Sequence, residues 1–208
     1  MSEHPARAPA AARGLNSYFD KRFEALVHPV APGAHAINGT ANEMLSTVLG
    51  SCIAVCLRDE RKRVGGINHF MLPMSAESAG QTPSRDAMLY GDTAMEVLIN
   101  ALMRVGCDRR HLEAKVFGGA KIAAVFDHSA IGERNAQFAM DFLAHEKIVV
   151  RSRDTGGSSP RRVLFEPWSG RVLVQHIDPL ATAEVARAEA RHQAQISAKR
   201  TASLVELF

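Results

Sequence analysis

Only three cysteines occur in 208 residues, and no two of them form a CxxC pair. So sparse and odd a count argues against a disulfide framework and a structural zinc site, and fits free thiols in a reducing compartment. The nine histidines include no HxxxH or HExxH pair, so neither a metal nor a cofactor is expected. Aromatic residues make up 6%, with one Trp and two Tyr, too few for the stacking platforms that hold single-stranded nucleic acid. One-signed charge is lacking as well. Lys and Arg number 25 against 22 Asp and Glu, a net +3, without the basic stripe of a phosphate-binding surface, so no nucleic-acid partner is expected. No apolar run is long enough to cross a membrane as a helix, so no membrane insertion is expected. The N-terminal stretch has Arg, Pro and Ala but no apolar core of a secretory signal, which makes the cytoplasm the expected location.

What is present is a chain 46% hydrophobic and 23% charged, able to bury one sizeable core. Residues 1–16 read as a flexible tail, 17–178 as one folded domain and 179–208 as a helical extension. Ser17–Ala25 is expected to be a short helix. Ile53–Leu57 and Ile67–Leu72 are apolar runs joined by the charged link DERKRVGG, the pattern of a β-hairpin buried on both faces. Residues 75–90, polar and Ser-rich, read as a loop. Asp92 is placed to cap a helix from Thr93 to Val105, in which Met95, Leu98, Ile99 and Leu102 recur at helical spacing. Further on, the pattern predicts a strand over Leu112–Phe117, a helix over Asn135–His145 and a strand over Ile148–Arg151. A hairpin follows around PWSG (Val163–Glu166 and Arg171–His176), and then a helix from Pro179 to about Lys199. The mixture implies an α/β fold, a layered sandwich of mixed, largely antiparallel β-sheet with flanking helices.

The segment with chemical content is LSTVLGSCIAVCLRDERKRVGGINHFMLP, residues 45–73. Gly50 and Ser51 allow a sharp turn just before Cys52, and a thiol there can sit at the mouth of a cleft. A nearby imidazole would favour its thiolate. If the hairpin turns tightly between Glu60 and Arg61, Cys52 faces His69 across the strands. Alternation along an extended segment 46–52 puts Ser46 on the face of Cys52, which makes Ser46 the expected hydroxyl to orient the imidazole. The plainer reading is that Cys52 is a small core residue and His69 a hydrogen-bonded sheet histidine. Cys56, inside an apolar run, reads as core.

The ordered strings LGSCIAVCLRD, GGINHFMLP, KVFGGAKI, IGERN, DTGG and RRVLFEPWSGRV resemble the CheD family, the chemoreceptor glutamine deamidases of bacterial chemotaxis, from about Tyr18 to His176. The resemblance implies Cys52 as nucleophile and His69 as its base. A Thr six residues before the Cys completes that family's triad; here this position is Ser46, with Thr47 adjacent. It also implies a layered α/β fold, methyl-accepting chemotaxis receptors as substrates, and association with a CheC-type phosphatase. Backbone N–H groups at Gly50 and Ser51 are the expected substrate-binding elements, stabilising an oxyanion. The alternative is a non-catalytic module that binds receptors or the phosphatase; a cysteine peptidase or transglutaminase is a third reading. Gly118-Gly119-Ala120-Lys121 lacks the GxxxxGK[ST] spacing of a phosphate loop and reads as a tight turn. Asp154-Thr155-Gly156-Gly157 reads as either a cleft edge or a plain surface turn.

Overall fold

The structure, a computed structural model, describes residues 17–72, 85–121, 129–178 and 182–205. The tail expected over 1–16, most of the loop expected over 75–90, and the last three residues lie outside them. Among the described residues ten strands form two five-stranded sheets. The first has the order β1-β2-β4-β9-β10, built from Tyr18–Asp20, Ala25–Pro29, Glu43–Leu49, Arg161–Glu166 and Arg171–His176. The second has the order β3-β6-β5-β7-β8, built from His35–Asn38, Val64–Asn68, Ile53–Asp59, Leu112–Gly118 and Val149–Thr155. Within each sheet one pair is parallel, β2 with β4 and β7 with β8; the others are antiparallel. Helices α1 (Arg85–Arg104) and α2 (Ser129–His145) pack on the second sheet, and α3 (Thr182–Val205) follows the last strand.

The layering follows from β5, which is apolar at nearly every position. Its odd residues Ile53, Val55 and Leu57 pack with Met95, Leu98, Ile99 and Leu102 of α1 and Phe138 and Leu143 of α2. Its even residues Ala54 and Cys56 pack with Leu45, Leu49, Val163 and Phe165 of the first sheet. A strand covered on both faces has no polar side to alternate with, which is why IAVCL reads as an unbroken run. The result is a three-layer sheet–sheet–helix sandwich of largely antiparallel strands.

Local expectations fail at two helices. Ser17–Ala25 is not helical: Tyr18–Asp20 pairs antiparallel with Ala25–Val27. The Asp20 carboxylate closes the turn by accepting the Arg22 N–H at 3.0 Å, a local bond that competes with helix. Helix α1 starts at Arg85, eight residues before the expected Thr93. Gly91 is not a boundary but a packing position inside α1, where a Cβ would lie 2.5 Å from the Phe138 ring of α2. The β5–β6 hairpin forms, but over a four-residue turn at Glu60–Arg63, so its register is displaced by two from the expected pairing. Ile53 bridges Phe70, which leaves Met71, not His69, opposite Cys52.

Candidate active site

Strand β4 ends at Leu49, and Gly50, Ser51 and Cys52 make the bend that enters β5 in the other sheet. All three carbonyls of this bend are tied down on one side. Gly50 O accepts from Ala120 N at 2.7 Å, Cys52 O from Gly119 N at 2.8 Å, and Ser51 O from Asn135 Nδ2 at 2.8 Å. Asn135, itself fully buried, is fixed in turn by the Leu72 N–H at 3.0 Å. Gly118 is what lets β7 come so close: its φ is +109°, and a Cβ there would lie 2.1 Å from the Cys52 carbonyl oxygen. The Gly-Gly string after β7 is therefore a backbone brace for the bend, not a phosphate loop. The DTGG segment joins the same brace, with Gly156 N–H on Gly118 O at 2.9 Å and Lys121 N–H on Gly157 O at 2.8 Å.

With the carbonyls turned one way, the three N–H groups point the other way and converge on one carboxylate, that of Glu189 in α3. Gly50 N and Cys52 N donate to Oε1 at 2.9 and 3.0 Å, and Ser51 N and Ser51 Oγ donate to Oε2 at 2.9 and 2.8 Å. Successive N–H groups aimed at one anion form a backbone nest, the construction of an oxyanion hole. Gly50 and Ser51, expected to bind substrate, both contribute donors to it. Glu189 is not among the expected site residues; the one signal for it in AEVARAEARHQAQ is that it shares a helical face with Val185, as Glu184 does not.

The imidazole of His69 is positioned by a break in β6. That strand ends at Asn68, whose side-chain oxygen accepts the Val55 N–H at 2.9 Å. The His69 backbone leaves the hairpin to pair with another segment, N–H to Ala34 O at 3.0 Å and O from Gly33 N at 2.8 Å. Its ring then meets Thr47, Oγ1 to Nδ1 at 2.7 Å. The Thr47 hydroxyl donates its one proton to Val30 O at 2.8 Å, so toward the ring it can only accept. His69 therefore carries its proton on Nδ1, which leaves the Nε2 lone pair open. Nε2 is buried without a hydrogen-bond partner among the described residues. Burial holds the imidazole down at about 4, the Glu189 carboxylate pulling the other way, so the ring is neutral at pH 7 and able to accept a proton.

Ser46 does not take the expected place. Its Oγ accepts from Arg162 Nε at 3.3 Å, and the residue on the His69 ring is Thr47. Alternation would hold only if 46–52 were one extended strand, whereas the bend at Gly50–Cys52 breaks it before it reaches Cys52. Cys52 and His69 each feel the charge of the Glu189 carboxylate. The Cys52 thiol is buried and is pushed well above its ordinary range, first by desolvation and then by the Glu189 charge.

Comparisons with known proteins bear on the chain as a whole. The family described as CheD chemotactic sensory transduction matches residues 71–176. A probable chemoreceptor glutamine deamidase CheD of Bordetella avium is 45% identical over 168 residues, 81% of this chain and 73% of that protein. This chain belongs to the CheD family. Two further relatives with the same description match over nearly their whole length. The protein of Thiobacillus denitrificans is 42% identical over 93% of this chain and 95% of its own, and that of Rhodopseudomonas palustris is 40% identical over 98% and 94%. Among solved structures, the hypothetical protein YfiH of Bacillus licheniformis aligns with a TM-score of 0.36 at 15% identity over 62% of this chain and 58% of that one. Among the described residues no group of His, Cys, Asp and Glu has the arrangement of a metal site, and no helix is long and apolar enough to cross a membrane.

Proposed function

We propose that this CheD chain is a cytoplasmic protein-glutamine deamidase that converts glutamine side chains of chemotaxis receptors to glutamate. The observation that carries the proposal is the nest of Gly50, Ser51 and Cys52 N–H groups closed on a glutamyl carboxylate beside a thiol. A site that grips the carboxylate of Glu is built for the product of glutamine hydrolysis. The relatives' description as chemoreceptor glutamine deamidases supplies the substrate class.

In this reading His69 Nε2 takes the Cys52 proton, and the thiolate attacks the carboxamide carbon, forming a C–S bond. The oxyanion is held by the nest, where preorganised donors are worth most. The C–N bond breaks and the nitrogen leaves as ammonia with the proton from His69. Water then gives a proton to His69 and adds to the thioester; the C–S bond breaks and the thiol recovers the proton. The sum is glutamine plus water giving glutamate plus ammonia. Thr47 holds the ring in the required tautomer throughout.

The test is incubation with receptor cytoplasmic fragments, reading ammonia release and a gain of about one dalton per converted glutamine. Cys52→Ala should abolish both while leaving receptor binding intact. Equal conversion by wild type and Cys52→Ala would remove Cys52 from the chemistry, and binding without conversion by wild type would favour a non-catalytic module.

A further inference from the structure

Helix α3 reaches into the site with one side chain. Glu189 is 8% exposed although it sits among exposed residues. The residues turned toward the domain, Val185, Glu189, His192, Gln193 and Ile196, follow the helical stripe spacing. His192 lies over Gly33, where a Cβ would be 3.0 Å from the ring carbon Cε1, next to the Gly33–His69 backbone pair. We infer that α3 is a stand-in for product: the surface formed by the Gly50–Cys52 bend and Gly33 takes an α-helix presenting a glutamyl side chain, and in the resting protein this chain's own Glu189 fills it. The inference rests on the deamidase reading and deepens it.

Three observations support it beyond the hydrogen bonds. A glutamate on a helix is chemically what deamidation of a helix-borne glutamine leaves behind. Its charge stands next to the thiol and pushes Cys52 up, adding to the effect of burial, so an occupied site is also an unreactive one. The attachment is also built to come apart. The stripe has little apolar content beyond Val185 and Ile196, and both atoms of the Gln193 carboxamide are buried without hydrogen-bond partners among the described residues. The Glu189 carboxylate is the buried polar anchor of the helix, and bonds of that kind can be replaced by water, so a competing helix can displace it.

The experiment is alkylation of Cys52 by iodoacetamide, followed on its own peptide by mass spectrometry, in the full chain. Glu189→Ala should raise the rate by about tenfold or more, since it removes both a plug and a negative charge. Glu184→Ala, at an exposed position of the same helix, should stay at the wild-type rate. Glu189→Gln gives a sharper readout. If α3 sits as product does, the new carboxamide is a substrate in cis: Cys52 displaces its ammonia, water releases the thioester, and residue 189 gains about one dalton as it becomes glutamate. The Cys52→Ala, Glu189→Gln double variant should keep its glutamine. An unchanged alkylation rate in Glu189→Ala overturns the inference. So does a glutamine that persists at 189 in a protein that still deamidates receptor fragments. If Glu189→Ala is alkylated faster but no variant converts either receptor or residue 189, α3 gates the thiol and it is the deamidase reading that falls.

Discussion

Replacing Thr47 by Val tests most directly the orientation of the imidazole proposed as the base. The side chains are nearly isosteric, so the change removes a hydroxyl and little else. Two buried groups lose their partner: the Val30 carbonyl, accepting at 2.8 Å, and His69 Nδ1–H, donating at 2.7 Å. Each orphaned buried group costs about 1–3 kcal/mol. The ring can escape part of this by moving its proton to Nε2, so the expected loss of stability is about 2–4 kcal/mol. That escape removes the base, because a protonated Nε2 cannot take the thiol proton. General-base catalysis is worth about 100-fold or more, and the deamidation rate should fall by that order. Ser46→Ala gives up only the 3.3 Å contact from Arg162, and should stay within about 1 kcal/mol and twofold of wild type. Thr47→Ser keeps the hydroxyl and should recover most of the activity. The assay pairs receptor-fragment deamidation with urea unfolding of the same samples. If Ser46→Ala loses as much activity as Thr47→Val, or if a folded Thr47→Val keeps wild-type activity, the assignment of Thr47 to His69 is wrong.

Acid should weaken the fold through the same ring. The folded imidazole is held at about 4 against 6.5 when unfolded, so the unfolded chain binds more protons between these values. The stability it confers is complete above about pH 6.5 and is lost as pH falls toward 4, about 3 kcal/mol in all. Urea midpoints at pH 7.5 and 4.5 measure it, and a His69→Asn variant with an undiminished pH slope would refute the attribution. Gly118→Ala should disrupt the bend directly, since the added Cβ would lie 2.1 Å from the Cys52 carbonyl oxygen at a φ of +109°. Left-handed strain and forced backbone movement together should cost about 3 kcal/mol or more, with loss of deamidation; a variant of wild-type stability and rate would show that the brace does not set the nest.

The strands that carry the site were legible because their signals are local. The apolar run at Ile53–Leu57, the charged link after it and the Gly-Gly stop after β7 each have a physical cause that acts within a few residues. The register of the β5–β6 hairpin was not legible, since a two-residue and a four-residue turn are both compatible with DERKRV, and the choice moves Cys52 from opposite His69 to opposite Met71. A slip of two preserves which face a strand residue occupies, so the layering of β5 between helices and first sheet does not depend on that choice. The choice between Ser46 and Thr47 had no such protection: one bend at Gly50–Cys52 was enough to invert it. Glu189 lies furthest from what sequence can disclose. Its partners are 137 to 139 residues away, and its place on the face of Val185 and Ile196 says that it turns inward but not what it meets.

The nest also sets a relation between substrate, transition state and product. Oε1 of the bound carboxylate takes the N–H groups of Gly50 and Cys52, while Oε2 takes those of Ser51, backbone and hydroxyl together. A carboxamide has one oxygen. Placed on Gly50 and Cys52, it leaves its NH2 facing the Ser51 N–H, donor against donor, with only the hydroxyl able to turn and accept. On the proposed mechanism substrate binds with a bond missing, and the developing oxyanion would strengthen the bonds to Gly50 and Cys52, which is the difference between ground and transition state that catalysis needs. When ammonia has gone and the second oxygen has come from water, every donor is satisfied and binding is tightest. A site made this way holds its own product, so turnover depends on whatever lifts a helix-borne carboxylate out of the bend. On the proposed reading the polar attachment of α3 meets that requirement: the geometry that suits Glu189 to the site would also let a receptor helix replace it.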